Sequence, residues 1–170
     1  MIVLSKIFTT QLLGLFNKIQ EQEAEAIEDS GRLLAQAIVG DGTVYVYGQD
    51  EMKSVVYEAL YGKEGFPSAK ELTDINEVTS IDRVFILARD HSDEKTASLC
   101  ETLYKRDIPF IVITSNSDPV SHADVVLRTH LKNGLVPGED GVRRGYPYGL
   151  LSLYIYHLIT LNVHDILEDM

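Results

Sequence analysis

Three short runs of β-branched and aromatic residues constrain the fold of this chain more than any other feature. The runs are TVYVY from Thr43, RVFILA from Arg83 and IPFIVIT from Ile108. None of them alternates apolar with polar residues, which is the pattern of strands that are covered on both faces. A turn signal precedes each run and polar loop residues follow it. Because helical patterns separate the runs, the sequence predicts a parallel sheet with right-handed crossovers.

Weaker patterns complete a three-layer α/β sandwich with a five-stranded parallel sheet flanked by helices, of the flavodoxin or Rossmann type. Further strands are predicted near Lys70 to Thr73 and at Asp124 to Arg128, with helices around Met52 to Leu60 and Glu94 to Lys105. Apolar residues at helical spacing between Thr9 and Val39 predict two helical segments. We interpret the charged run between them, EQEAEAIED, as a solvated helix face.

The length of 170 residues and the hydrophobic content of 45% suit one domain with one core. We expect a helical arm over 1–40, the parallel core over 43–128, a glycine- and proline-rich loop over 133–149 and a closing helix over 150–168. The closing helix is apolar on all sides, so it should be buried on more than one side. In so small a domain, a homodimer or homotetramer interface is the expected second side.

Charge and composition argue against several partners. A net charge of −11, from 15 Lys and Arg against 26 Asp and Glu, repels nucleic acid. A single phosphate is compatible with that charge, because local N–H groups and arginines act within about 10 Å. No stretch reaches the roughly 18 uncharged apolar residues of a bilayer span, so we expect no membrane partner. The lone Cys100 fits a reducing compartment, and we expect a cytoplasmic protein.

Ligands of parallel sheets bind beyond the carboxyl ends of the strands, where three polar loops of this chain should meet. The third loop offers hydroxyl and amide groups that suit sugar hydroxyls or phosphate, at Thr114, Ser115, Asn116 and Ser117. An ordinary turn uses the same residue types. In the second loop, Ser92 either caps a helix that begins near Asp93 or helps that helix N-terminus to hold an anion.

This order of elements resembles the SIS (sugar isomerase) family, in particular its small phosphoheptose isomerase-like members. The similar features are a helical arm ending in GDG, then VYVYG, VFILAR, IPFIVITSNSDPVSHADVVL and a closing helix. The resemblance implies a five-stranded parallel sheet and a phosphosugar held by Ser- and Thr-rich loops. It also implies a site that a neighbouring subunit completes.

Two loops depart from that family's pattern. The first loop is usually Gly-x-Gly-x-Ser, but here it reads GQDEM from Gly48, so two carboxylates stand where an anion would be received. The second loop is usually Ser-x-Ser-Gly, but here it reads ARDHS from Ala88. Substrate-binding residues predicted in these two loops are Gly48, Ser54, Arg89 and Ser92.

Phosphoheptose isomerases also carry a His and a Glu on the helix after the first loop and a His on the last helix. The resemblance therefore implies Glu58 and His157 as a catalytic base and acid for aldose–ketose isomerisation, although the His partner of Glu58 is missing. The alternatives are an exposed helix glutamate and a core or interface histidine. Arg143 and Arg144 form a local basic cluster that either clamps a phosphate or is solvated.

The sequence thus predicts a phosphosugar-binding protein in one of two forms. It is either a sugar-phosphate isomerase of the phosphoheptose isomerase type or a non-catalytic SIS module that senses a sugar phosphate or serves as an oligomeric interaction domain. A nucleotide-binding Rossmann or flavodoxin-like protein ranks last, because no Gly-x-Gly-x-x-Gly follows a strand. We assign no cofactor, and no metal because the histidines lack zinc-ligand spacing.

Overall fold

The computed structural model describes residues 2–170 and contains one five-stranded sheet over that range. Its strands are β1 (Val44–Gly48), β2 (Ala69–Glu71), β3 (Arg83–Leu87), β4 (Phe110–Thr114) and β5 (Val125–Arg128). All neighbouring strands are parallel, and their order across the sheet is β2-β1-β3-β4-β5. The predicted three-layer α/β fold with a five-stranded parallel sheet is confirmed.

Residues 2–170 also form five α-helices. They are α1 (Ile2–Gln22), α2 (Ala24–Val39), α3 (Lys53–Tyr61), α4 (Glu94–Lys105) and α5 (Tyr148–Glu168), with short 3₁₀ turns at Asp50–Met52 and Ile75–Glu77. The prediction of two N-terminal helical segments is confirmed, and the break between them is the single residue Glu23. The rest of the charged run EQEAEAIED is helical.

The central strands are apolar throughout because the sheet is covered on both faces. In β3, Phe85 and Leu87 belong to a core shared with α2, α3 and α5, while Val84 and Ile86 belong to a second core under α4. Side chains of successive strand residues point to opposite faces, so an uninterrupted apolar run is what such a strand requires. Cys100 lies in the second core, and burial raises the pKa of its thiol to about 11.

Helix α5 has the length and hydropathy of a membrane-spanning helix, but here it forms part of the core. It packs against α2 and α3, and Ile155 and Ile159 on its inner face are fully buried. Leu150 and Leu161 on the outer face are 45% and 60% exposed. The subunit interface expected on that outer face stays a prediction.

The strand order creates a crevice at the carboxyl edge of the sheet. The chain passes from β1 through α3 to the edge strand β2, and from β3 through α4 towards β4 and β5. Since α3 and α4 lie on opposite faces, the loops after β1 and β3 diverge. Such a divergence point is where open α/β sheets bind ligands.

Candidate functional site

An open cleft of about 730 Å³ lies over this edge of the sheet. Its walls come from the loops that follow β1, β3, β4 and β5 and from the start of α5. The lining residues are Gln49, Asp50, Arg89, Asp90, Ser92, Asp93, Ser115, Asn116, Ser117, Leu131, Lys132 and Tyr148. Asp50 follows β1 and Lys132 follows β5, three strand intervals further on, which separates the two ends of the cleft by about 14 Å.

Five of the residues predicted to bind substrate line this cleft, namely Arg89, Ser92, Ser115, Asn116 and Ser117. Gly48 and Ser54 do not line it. Gly48 ends β1 beneath the first loop, where a side chain would collide with the Met52 carbonyl oxygen at 2.6 Å. The Ser54 hydroxyl donates to the Glu51 carbonyl oxygen at 3.0 Å in the first turn of α3. Both residues therefore shape the first loop.

Thr114 lies fully buried beneath the cleft, where it supports the third loop. Its Oγ1 is 3.1 Å from Nδ1 of His91, and Nε2 of His91 is 3.2 Å from the Pro119 carbonyl oxygen. Because that carbonyl can only accept, Nε2 of His91 carries a hydrogen. The backbone N–H of Asn116 also donates to Thr114 Oγ1, at 3.3 Å. His91 and Thr114 thus join the ends of the second and third loops.

Arg89 is held by the two carboxylates of the first loop. Its guanidinium nitrogens lie 3.2 Å from Asp50 Oδ2 and 3.2 Å from Glu51 Oε1. The guanidinium carbon is also 5.8 Å from the centre of the Tyr148 ring, within the range of a cation–π contact. The carboxylates that were expected to repel an incoming anion therefore pair with the cation that would attract it.

Asp90 connects the second and third loops through one carboxylate oxygen. Its Oδ1 accepts from Ser92 N at 2.9 Å, Ser92 Oγ at 2.7 Å and Asn116 Nδ2 at 2.8 Å. The hydrogen bond from Asn116, followed by those from Ser92, lowers the pKa of Asp90 below its ordinary value. Asp90 is therefore ionised at neutral pH, and the amide of Asn116 is committed to it.

The expectation that Ser92 caps the following helix is wrong. Helix α4 begins at Glu94, and its N-cap is Asp93, whose Oδ2 accepts from Lys95 N at 3.1 Å and Thr96 N at 3.4 Å. Ser92 lies one residue too early and bonds to Asp90 instead. Because Asp93 already occupies this helix N-terminus, an external anion would meet a carboxylate there.

The far end of the cleft differs in charge and in hydrogen bonding. Lys132 follows β5, is exposed and has no ion pair or hydrogen bond to any residue in 2–170. The Ser117 hydroxyl is also exposed and without a partner in the described chain. Sequence reasoning missed Lys132 because it counted only three loops. A fourth strand end, at Arg128, was the signal that it did not use.

The remaining predicted residues do not line the cleft. Glu58 is half-buried near the end of α3 with its carboxylate over Gly62, and His157 is exposed on α5 against the Tyr156 ring. Their catalytic roles stay a prediction.

Arg143 and Arg144 are held within their own loop. Arg143 Nε donates to the Gly134 carbonyl at 2.6 Å, and Arg144 Nη2 pairs with Asp140 Oδ2 at 2.7 Å. Among residues 2–170, no group of three or more His, Cys, Asp or Glu side chains is arranged to hold a metal ion.

Solved structures with this fold include several sugar-phosphate proteins. The Escherichia coli CFT073 protein c3406, in complex with arabinose 5-phosphate, has a TM-score of 0.73 at 13% identity and covers 98% of this chain and 91% of its own. A phosphoheptose isomerase from Francisella tularensis has a TM-score of 0.69 at 15% identity over 97% of this chain and 100% of its own. The Vibrio vulnificus NanR protein, complexed with ManNAc-6P, has a TM-score of 0.67 at 16% identity over 97% of this chain and 62% of its own. At the level of the fold, these likenesses confirm the resemblance to SIS proteins.

Sequence comparison gives a nearer relationship. The chain is 38% identical over 169 residues to the uncharacterized protein YwjG of Bacillus subtilis (strain 168), with 96% of this chain and 98% of that protein covered. The family model described as domain of unknown function DUF2529 matches residues 4–167. The chain therefore belongs to the DUF2529 family, and its members are expected to share the parallel fold and the cleft described above.

Proposed function

We propose that this protein binds a sugar phosphate in the cleft and does so as a non-catalytic module. The observation that carries the proposal is the pairing of a free ammonium group with a free hydroxyl at one end of a polar cleft, at the carboxyl edge of a parallel sheet. Lys132 and Ser117 supply those groups. A phosphate placed between them would receive charge-assisted and neutral hydrogen bonds together.

The rest of the cleft suits a hydroxylated ring. Hydrogen bonds from Ser92 and Asn116 engage only Oδ1 of Asp90, so within the described chain Oδ2 is open to accept from a sugar hydroxyl. The Gln49 side chain offers an amide with no internal partner in residues 2–170. Tyr148 adds an aromatic surface on which the apolar face of a sugar ring can pack.

The chemistry of the cleft favours binding over isomerisation. Proton transfer between neighbouring carbons needs a base and an acid that work near neutral pH. No histidine in residues 2–170 lines the cleft, and each of its three aspartates is committed. Asp50 pairs with Arg89, Asp93 caps α4, and the hydrogen bonds to Asp90 lower its pKa.

Structural neighbours support the same class of ligand. One was solved with arabinose 5-phosphate and another with ManNAc-6P, and both share the fold over nearly all of this chain. Because their identities to this chain are 13% and 16%, the neighbours support the fold of the cleft and leave its residues to be tested.

The test is a binding measurement with phosphorylated and unphosphorylated forms of the same sugars. Arabinose 5-phosphate, ManNAc-6P and sedoheptulose 7-phosphate are titrated into the protein by calorimetry and screened by thermal shift, since a ligand of the folded state raises its stability. We expect at least one phosphorylated sugar to bind and its unphosphorylated form to bind much more weakly. Lys132→Gln should weaken that binding by about tenfold or more, as expected for a lost charge-assisted hydrogen bond.

The matched control is Lys63→Gln, which removes an equal charge from an exposed position that lines no part of the cleft. Equal losses in the two variants, or no binding across the panel, would contradict the proposal. Incubation with sedoheptulose 7-phosphate tests catalysis separately. Aldose product that disappears in Glu58→Gln would instead establish the isomerase.

A further inference from the structure

Glu23 is a buried carboxylate at the junction of α1 and α2. It is only 7% exposed, although the charged run around it was predicted to be a solvated helix face, so for this residue the prediction is wrong. Its neighbours Glu21 and Glu25 are exposed as predicted. A buried carboxylate is costly unless partners compensate its charge.

The partners of Glu23 lie at the end of β5. Oε1 of Glu23 is 2.7 Å from His130 Nε2, and Oε2 accepts from the backbone N–H of Arg128 at 3.2 Å. His130 has a φ of +62°, a left-handed conformation that a residue with a Cβ adopts only when its surroundings hold it there. The carboxylate therefore fixes both residues that flank Thr129.

That fixed segment is joined to the third loop of the cleft. The Arg128 guanidinium donates to the carbonyl oxygens of Asn116 and Asp118, the latter at 2.8 Å. The hydroxyl of Thr129 bonds to that of Ser115 and accepts from Leu131 N at 3.3 Å. Burial lowers the pKa of Arg128, and the negative charge of Glu23 opposes that shift.

We propose that Glu23 is a positioning residue, through which the N-terminal helix pair sets the geometry of the phosphate end of the cleft. It holds residues 128–130, and these hold the Ser115–Asp118 loop on one side and Lys132 on the other. That this end of the cleft receives phosphate rests on the proposed function. The positioning itself is a property of the ligand-free chain.

The experiment is hydrogen–deuterium exchange on the intact, ligand-free protein and its Glu23→Gln variant. Glutamine keeps the size of the side chain but removes the charge that faces His130 and Arg128. We expect peptides covering 115–118 and 128–132 to exchange about tenfold faster in the variant, as for a lost hydrogen bond to a charged group. Peptides from β1 and β3 should keep their wild-type rates.

Glu25→Gln is the matched control, because it removes the same charge from an exposed position two residues away. His130→Asn should reproduce the Glu23→Gln pattern, since asparagine tolerates the left-handed backbone but does not reach the carboxylate in the same way. The double variant should add little to either single variant.

Faster exchange confined to α1 and α2, or spread evenly over the whole chain, would overturn the proposal. The sugar-phosphate titration then gives a separate readout. Glu23→Gln should weaken binding severalfold while its melting temperature, compared at equal pH, stays close to that of the control variant. If no sugar phosphate binds to the wild type, the proposed function fails, while the exchange result still decides whether Glu23 positions the two segments.

Discussion

The two ends of the cleft each carry a cation, and the chain treats them in opposite ways. Arg89, between the ends of β1 and β3, is paired with Asp50 and Glu51 and stacked near Tyr148. Lys132, beyond β5, has no partner in the described chain. An anion at the first end must compete with two internal carboxylates, whereas an anion at the second end meets only the hydration of an ammonium group.

This difference shows that the pairing of a cation decides its use more than its presence does. Arg89 is the better anion ligand by type, since a guanidinium can bind a phosphate through two parallel hydrogen bonds. With both carboxylates in place, it is better suited to fixing the first loop against the second. The contrast between the two ends can be sharpened by changing the charge at one end and measuring affinity at the other.

Neutralising the first loop should have the largest effect on this contrast. In Asp50→Asn combined with Glu51→Gln, we expect the affinity for a sugar phosphate to rise about threefold at low salt, because two negative charges about 10 Å from the phosphate are removed. Calorimetric titrations at about 20 mM and about 500 mM salt, which lie on either side of the range where screening sets in at that separation, measure the change.

The gain should nearly vanish at high salt, where charges at that separation are screened. Glu64→Gln with Glu139→Gln is the matched control, since it removes two exposed carboxylates that do not line the cleft. A gain that persists at high salt would point to a direct contact with Arg89 instead, and the contrast between the two ends would have to be abandoned.

A smaller effect is expected from Asp90, which lies between the two ends and is held by hydrogen bonds. Because Asn116 and Ser92 lower its pKa in the folded state, its contribution to the free energy of unfolding is present above its unfolded pKa of about 4 and is lost as the pH falls through the lower folded value. Asp90→Asn should therefore show a weaker fall in melting temperature than the wild type as the pH is lowered below about 5. Melting curves from neutral pH to about pH 3 measure this, and parallel curves for the two proteins would contradict it.

The fold could be predicted from the sequence because buried parallel strands leave a strong local pattern. The runs TVYVY, RVFILA and IPFIVIT can satisfy both faces of a strand only inside a covered sheet. Even for the weak edge strand β2, the prediction agrees with the structure to within two residues, since short edge strands still require turn signals on both sides.

The site was harder to predict because its geometry depends on contacts between distant residues. Glu23 and His130 are 107 positions apart, and nothing in the run EQEAEAIED distinguishes the buried glutamate from its exposed neighbours. The pairing of Arg89 with the first loop likewise joins positions 39 apart. Residue type at a strand end was informative for Ser115, Asn116 and Ser117, and it could not tell a ligand group from a group that serves the loop itself.

The smallest effect is expected for Arg144, and it tests the same contrast at a site outside the cleft. Arg144 pairs through both terminal nitrogens with Asp140, at 2.7 and 3.1 Å, and both side chains are more than half exposed. An exposed pair of this kind contributes little to stability, and its cation is no freer than Arg89. Arg144→Gln should therefore leave the affinity for a sugar phosphate within about twofold of the wild type by calorimetry, a change too small to indicate a lost charge-assisted hydrogen bond. A tenfold loss would mean that the long loop closes over the bound phosphate and that a paired arginine does bind it, which would remove the distinction between paired and free cations on which the assignment of Lys132 depends.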